Sequence, residues 1–370
     1  MADPRVERLA GVLVDYSTRV REGDLVCIDT APAAAALVHE IWRHVLAAGG
    51  HPHLRVDLDG ADELLLSEGT EAQLDWVSPL RKAEVERADV RIAVEADTNT
   101  RRLTGMDPSR QARQARAREP LRRRYFERAN AGELRSVVTL FPTEAAAQDA
   151  DRSLADYEDF VYRAGLLDRD DPVEEWRALG RRYSRLAERL GERREIRVVG
   201  EGTDLTLGVE GRNWIACDGR ENFPDGELFT GPVETRVDGT MRFTYPASFA
   251  GRRVSGVELE FRGGEVTRAT AEQGEAFLRE MLALDEGARR AGEFSFGLND
   301  AVTEFTGHTL FDEKIGGTVH LALGASYPES GGQVQSALHW DLVCDLRSRS
   351  EVYADGELIY RDGRFVDGLS

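Results

Sequence analysis

The sequence predicts an α/β N-terminal domain with a largely parallel sheet, followed by a β-rich α+β C-terminal domain. Three observations carry this. The first half alternates short apolar strands with helical segments, the pattern of a parallel sheet covered by helices. After Glu192 the composition shifts to short strands broken by Gly and Asp turns. The chain, at 370 residues, is long for a single hydrophobic core. The expected domains are therefore 1–192 and 193–370, with the boundary near 190–196.

The elements follow in order. Arg5 to Val20 places Leu9, Val12, Leu13 and Tyr16 at helical spacing. Asp24–Thr30 (DLVCIDT) reads as a strand, Ala31–Gly49 as an Ala-rich helix closed by a glycine pair, and His53–Leu58 (HLRVDL) as the next strand. ADVRIAVEA and SVVTLF supply two more strands. No GxGxxG or GxxxxGK(S/T) follows any of them, so nucleotide binding finds no support. Arg101 to Arg128 holds ten arginines against three acids, which predicts a solvated or salt-bridged helix face. Helices are expected over Asp151–Leu166 and Pro172–Leu190, the second with Asp171 as N-cap and acids in its first turn. In the second half EIRVVG, TDLTLGV and VSGVELEFRGGEVTRATA read as strands, interrupted by one long helix over Ala271–Ala291.

Composition excludes several classes. Acids number 67 and bases 48, a formal net charge of −19, which repels phosphate backbones and disfavours nucleic acid as a partner. No apolar run approaches the ~18–20 residues of a membrane span, and the N-terminus lacks a signal-peptide core. Three distant cysteines with no CxxC pair argue against a disulfide scaffold or a cysteine zinc site. The expectation is a cytoplasmic protein with no nucleic-acid or membrane partner.

The chemistry-bearing residues lie in the second half. GxSxG, HExxH, Walker, CxxC and EF-hand signatures are missing. His51-Pro52-His53 has chelating spacing but no nearby carboxylate cluster. His339-Trp340-Asp341 sits in the strand-like ALHWDLV, where alternation puts His339 and Asp341 on one face. From this triplet alone, a buried His–Asp pair is at least as good a reading as a metal grip. His320 lies in GGTVHLALG, with the small Ala322 and Gly324 following on its face, and Glu313 stands seven residues earlier. Glu313, His320, His339 and Asp341 thus crowd into 29 residues, which favours metal binding. Glu293 (AGEFSFG) and Glu227 (PDGELFT) bring the set to four carboxylates and two imidazoles. Such a set suits two divalent ions sharing a carboxylate, the equipment of a metal-dependent hydrolase.

The blocks GTDLTLGVEGR, DGRENFPDGELFTGP, LALDEGARRAGEFSFG, LFDEKIGGTVHLALG and LHWDL, in this order, resemble the thermophilic metalloprotease family of aminopeptidases, most strongly over the last half of the chain. The resemblance implies a dimeric exopeptidase that releases N-terminal amino acids from peptide substrates. It implies two divalent ions, zinc first, with cobalt or manganese as alternatives. The implied metal ligands are Glu227, Glu293, Glu313, His320, His339 and Asp341, with Glu293 bridging. Tyr327, in GASYPES, matches the tyrosine that supports the oxyanion, and Glu227 is one candidate for the general base. The homodimer is also expected to use the Arg101–Arg128 segment. The chain departs from the family in having Asp225-Gly226 before Glu227, and Lys314 where Asn is frequent. It also has a longer Glu313–His320 segment and a shorter His320–His339 spacer.

A second resemblance is to ring-cleaving iron(II) dioxygenases acting on dihydroxypyridine, for which His320, His339 and Asp341 would hold one iron. Three further acids have no use in such a site, and unpaired buried carboxylates are costly. The hydrolase is therefore the favoured expectation.

Overall fold

The computed structural model describes residues 3–249 and 251–366. Two compact units emerge: Met1–Val173 with Gly219–Pro224, and Glu174–Asp218 with Asp225–Ser370. The division falls at Val173/Glu174, ahead of the expected 190–196. The helix Pro172–Gly191 accounts for the difference, because its Leu186 and Leu190 enter the core of the second unit.

The first unit is built on a five-stranded parallel sheet. Its order is His51–Val56, Leu25–Thr30, Val90–Glu95, Arg135–Leu140 and the returning Asn222–Phe223. Val26, Ile28, Val90, Ile92 and Val137 are fully buried, as strands covered on both faces require. The N-terminal helix is α-helical only over Pro4–Gly11; Val12–Ser17 is a π-helical continuation. The wider turn lets Val12, Leu13, Val14 and Tyr16 all face inward. The arginine-rich segment forms the helix Pro108–Asn130, capped by Asp107. Arg113 pairs with Asp75 and Glu71, Arg118 with Asp62 and Arg124 with Glu86, while buried Arg128 donates to the carbonyls of Val85 and Ala88.

The second unit contains an eight-stranded antiparallel sheet and a five-stranded one, besides a two-stranded ribbon. The smaller sheet runs His339–Asp345, Thr318–Gly324, Ala291–Gly297, Glu227–Thr230, Ile215–Cys217, antiparallel throughout. One hydrophobic core joins both sheets, taking Leu205, Leu207, Val237 and Leu259 from the larger and Phe294, Phe296, Leu321 and Leu342 from the smaller. Each such side chain contributes roughly 1.5–3 kcal/mol by leaving water.

The long helix expected over Ala271–Ala291 is not formed. The helix spans only Glu275–Leu282, followed by a 3-10 turn at Gly287–Arg289 and a strand from Ala291. Asp285 ends it: its carboxylate accepts from the Ala288 and Ala337 amides and the Ser336 hydroxyl, at 2.7–2.8 Å, so a turn replaces further helix. Among the described residues no helix is long and apolar enough to cross a membrane.

Candidate metal centre

Strand alternation assembles the site. In Ala291–Gly297, Phe294 and Phe296 enter the core, so Glu293 and Ser295 face the other way. In Thr318–Gly324, Val319, Leu321 and Leu323 enter it and leave His320 and Ala322 opposite. In His339–Asp345, Trp340, Leu342 and Cys344 do the same for His339 and Asp341. The register then aligns Glu293, Ala322 and Asp341 in one row across three strands. Ala322, with only a methyl group, stands between the two carboxylates in that row. His339 lies opposite Gly324, and Ser295 opposite His320. Glu227 opens its own strand opposite both Gly297 and Cys217.

Gly226 aims Glu227. Its φ of +121° is open to glycine, and a Cβ there would meet the Asn299 Cβ at 2.7 Å. Asn299 in turn donates its amide to the Asp225 carbonyl at 2.8 Å, fixing the approach to the strand. Glu313 ends the short helix Thr309–Asp312, and Lys314 follows with its side chain 1% exposed.

All six predicted ligands belong to one connected cluster. His320 Nε2 lies 3.1 Å from Glu293 Oε1 and 3.3 Å from Glu227 Oε2. His339 Nε2 lies 3.8 Å from Glu293 Oε2 and 3.6 Å from Asp341 Oδ1. Its Nδ1 stands 2.8 Å from the Ala325 carbonyl, so Nδ1–H donates there and Nε2 is left for the site. Glu313 meets the Lys314 ammonium at 2.8 Å, and that ammonium lies 2.6 Å from Glu227 Oε1. Tyr327 stands at the rim, 42% exposed, its ring centroid 5.0 Å from that of His339 and 5.5 Å from that of Phe229.

The electrostatics are those of carboxylates seeking cations. Burial pushes the Glu293 carboxyl up and the Glu313 carboxyl well up, beyond what their cationic neighbours offset. Burial also raises Glu227, but Lys314 and His320 outweigh it and hold Glu227 below its usual range. Burial opposes charge on His320, yet Glu293 and Glu227 bring it to about 9.

The donor set fits divalent metal. Glu293 Oε2 and Asp341 Oδ1 are buried oxygens with no hydrogen-bond partner, an arrangement that is costly in a protein interior unless a cation meets it. Glu227, Glu293 and His320 hold ligand atoms within 4.8 Å of one another. Carboxylate and imidazole suit zinc, cobalt or manganese. A cavity of about 750 Å³ in the first unit, bordered by Asp29, Trp76 and Tyr125, contains none of these residues.

The family model for thermophilic metalloprotease (M29) matches residues 2–365. The chain belongs to this family. As an M29 chain it is 35% identical over 187 residues to aminopeptidase T of Thermus aquaticus, covering 46% of this chain and 45% of that one. It is 32% identical to aminopeptidase 2 of Geobacillus stearothermophilus over half of each chain. The matched stretches thus span about half the length of these relatives. Aminopeptidase PepS of Streptococcus thermophilus aligns over 98% of this chain and 94% of its own, at 25% identity. The solved structure of wild-type AmpT from Thermus thermophilus shares the fold, with a TM-score of 0.86 and 23% identity over 98% of this chain and 99% of that one.

Several residues of the cluster escape a reading by donor type. Lys314 stands in the sequence only as a departure from the family, yet its ammonium lies 2.6 Å from Glu227 Oε1. Ser295, which donates to Glu227 Oε2 at 3.2 Å, and Asp225, 3.9 Å from Lys314, lie within the matching blocks without being singled out as ligands. The run Asp312-Glu313-Lys314 is the available signal: a lysine directly after two acids and just ahead of a buried strand needs a partner there.

Proposed function

We propose that this chain is a metal-dependent aminopeptidase that hydrolyses the N-terminal bond of peptides, with two divalent ions held by Glu227, Glu293, Glu313, His320, His339 and Asp341. The observation that carries the reading is the pair of buried oxygens without a hydrogen-bond partner, Glu293 Oε2 and Asp341 Oδ1, both facing His339 Nε2. Glu293 has one oxygen toward His320 and the other toward His339, which supports a bridging role. Family membership and the aminopeptidase relatives support the same reaction. Zinc is the proposed metal, with cobalt or manganese as alternatives.

Bound there, the ions supply a nucleophilic water at neutral pH and polarise the scissile carbonyl. The chain's own groups do the rest. Tyr327, at the rim, is the donor to the oxygen of the attacked carbonyl. Glu227 has both oxygens engaged, one by Lys314 and one by Ser295 and His320, which suits a fixed ligand better than a base. Glu313 meets the Lys314 ammonium through Oε2, which leaves its other oxygen to the ions. Nothing favours the dioxygenase, whose single iron would leave Glu227, Glu293 and Glu313 without a task.

Elemental analysis with leucyl-peptide hydrolysis tests the reading. Wild type should carry two ions per chain and Glu293→Gln should lose metal, since an amide neither bridges nor neutralises two cations. Full metal retention in that variant would refute the dinuclear site. We also propose a cytoplasmic homodimer. Three cysteines free of disulfides support the location, and exposed Leu58, Trp76 and Leu80 in the first unit support a partner surface. The arginines of Pro108–Asn130 lend less support than expected, because several are already paired within the chain. A monomer at micromolar concentration in light scattering would contradict the dimer.

A further inference from the structure

We infer that the Lys314 ammonium is a resident cation at a third cation position beside the metal centre, and that it sets how Glu227 and Glu313 are presented to the metals. The inference rests on the dinuclear reading above and adds a positioning residue to it. The Lys314 side chain is 1% exposed, and its Nζ stands 2.6 Å from Glu227 Oε1, 2.8 Å from Glu313 Oε2 and 3.9 Å from Asp225 Oδ1. Independently of the lysine, Cys217, Asp225 and Glu227 hold ligand atoms within 4.8 Å of one another, which is metal-site geometry. Cys217 is brought there by its position directly across the ladder from Glu227. The ammonium therefore lies against two of the three groups of a second potential metal site, which shares Glu227 with the first.

Two consequences follow from charge and valence. The ammonium takes one oxygen of Glu227 and one of Glu313, so each can offer only its remaining oxygen to the catalytic ions. Five carboxylates converge here: Asp225, Glu227, Glu293, Glu313 and Asp341. One ammonium and two divalent ions neutralise them, and an interior this little exposed demands near-neutrality. Without the ammonium, Cys217 as a thiolate would make six negative groups, which three divalent ions neutralise. Lys314 thus stops the centre at two ions and keeps the thiol out of the ligand set.

Cobalt(II) is the probe, because a thiolate ligand gives it a near-ultraviolet charge-transfer band that carboxylate and imidazole ligands do not. Wild type loaded with cobalt should lack this band. Lys314→Ala, and Lys314→Ser as a second small variant, should bind one ion more than wild type and show it. Adding Cys217→Ser should abolish the band. Lys314→Leu fills the space without donors and should gain neither ion nor band. At stoichiometric cobalt all three Lys314 variants should lose ~10–100-fold in peptide hydrolysis, the usual effect of removing a partner of a metal ligand. Excess cobalt should restore the Ala and Ser variants but leave the Leu variant impaired, a distinction that a merely structural lysine would not produce.

A thiolate band in wild type overturns the inference without any variant. So do folded small variants that bind no additional ion, and small variants that fold neither with nor without cobalt, since no cation would then replace the ammonium. Two ions in wild type with no third in the small variants sinks the lysine inference alone. A wild type that binds no metal sinks the proposed function, and this inference with it.

Discussion

Tyr327 and His339 share an edge-on ring contact at 5.0 Å, but the proposed function gives them different tasks, and two substitutions separate them. Tyr327→Phe keeps the ring packed against Phe229 and His339 and removes only the hydroxyl. It should retain both ions and lose ~10²–10³ in turnover, the usual effect of deleting a preorganised oxyanion donor. His339→Ala removes a proposed ligand whose orientation the Ala325 carbonyl fixes, and it should lower metal content and activity together while the fold survives. Elemental analysis beside kcat for the two variants decides, and an equal loss of metal in both would contradict the assignment. The donors themselves were legible, because carboxylate and imidazole are ligands by chemistry wherever they stand. Lys314 was not legible as part of the site. A cation enters such a centre only through the charge balance of residues far apart in sequence, and that balance appears when the strands are paired.

The strands decide which residues meet. Ala322 occupies the row between Glu293 and Asp341, so Ala322→Val adds two methyl groups where the carboxylates converge. Metal affinity should fall by ~10–100-fold, read by chelator competition, with the far-ultraviolet spectrum unchanged; unaltered affinity would mean the row is wider than its register indicates. Gly226→Ala meets both a φ of +121° and the Asn299 Cβ at 2.7 Å, and should lower stability by about 1–3 kcal/mol in urea titration. Alternation made the strands of the site readable, including the shared face of His339 and Asp341. Helical periodicity misled over Ala271–Ala291, where apolar spacing continues past Leu282 but Asp285 captures backbone amides from Ala288 and the distant Ala337. A long-range hydrogen bond of that kind leaves no local pattern to read.

At the scale of the whole molecule each unit has its own source of pH and ligand dependence. The proposed ions would stabilise the second unit by mass action, about 2.7 kcal/mol for each at a hundredfold excess over its dissociation constant. The first unit depends instead on Asp29, whose side chain is 5% exposed and holds Arg55 at 2.9 Å, Arg91 at 2.7 Å and Arg81 at 3.6 Å. Burial alone would raise the Asp29 carboxyl, but the guanidinium groups of Arg55, Arg91 and Arg81 outweigh it and hold it below the usual range. A carboxyl depressed on folding contributes stability that is complete above its unfolded value of about 3.9 and is lost as pH falls through its lower folded value. Asp29→Asn leaves three guanidinium groups without their shared anion and should cost about 3 kcal/mol at pH 7. That is the low end of the range for breaking a buried pair, since each arginine keeps about a quarter or more of its side chain in water. Urea midpoints for wild type and the Asp29→Asn variant should therefore differ most at neutral pH and converge below about pH 4, as wild type loses a contribution that the variant never had. A gap that stays constant from pH 7 to pH 3 would show that the Asp29 charge is not what holds the three arginines over the sheet.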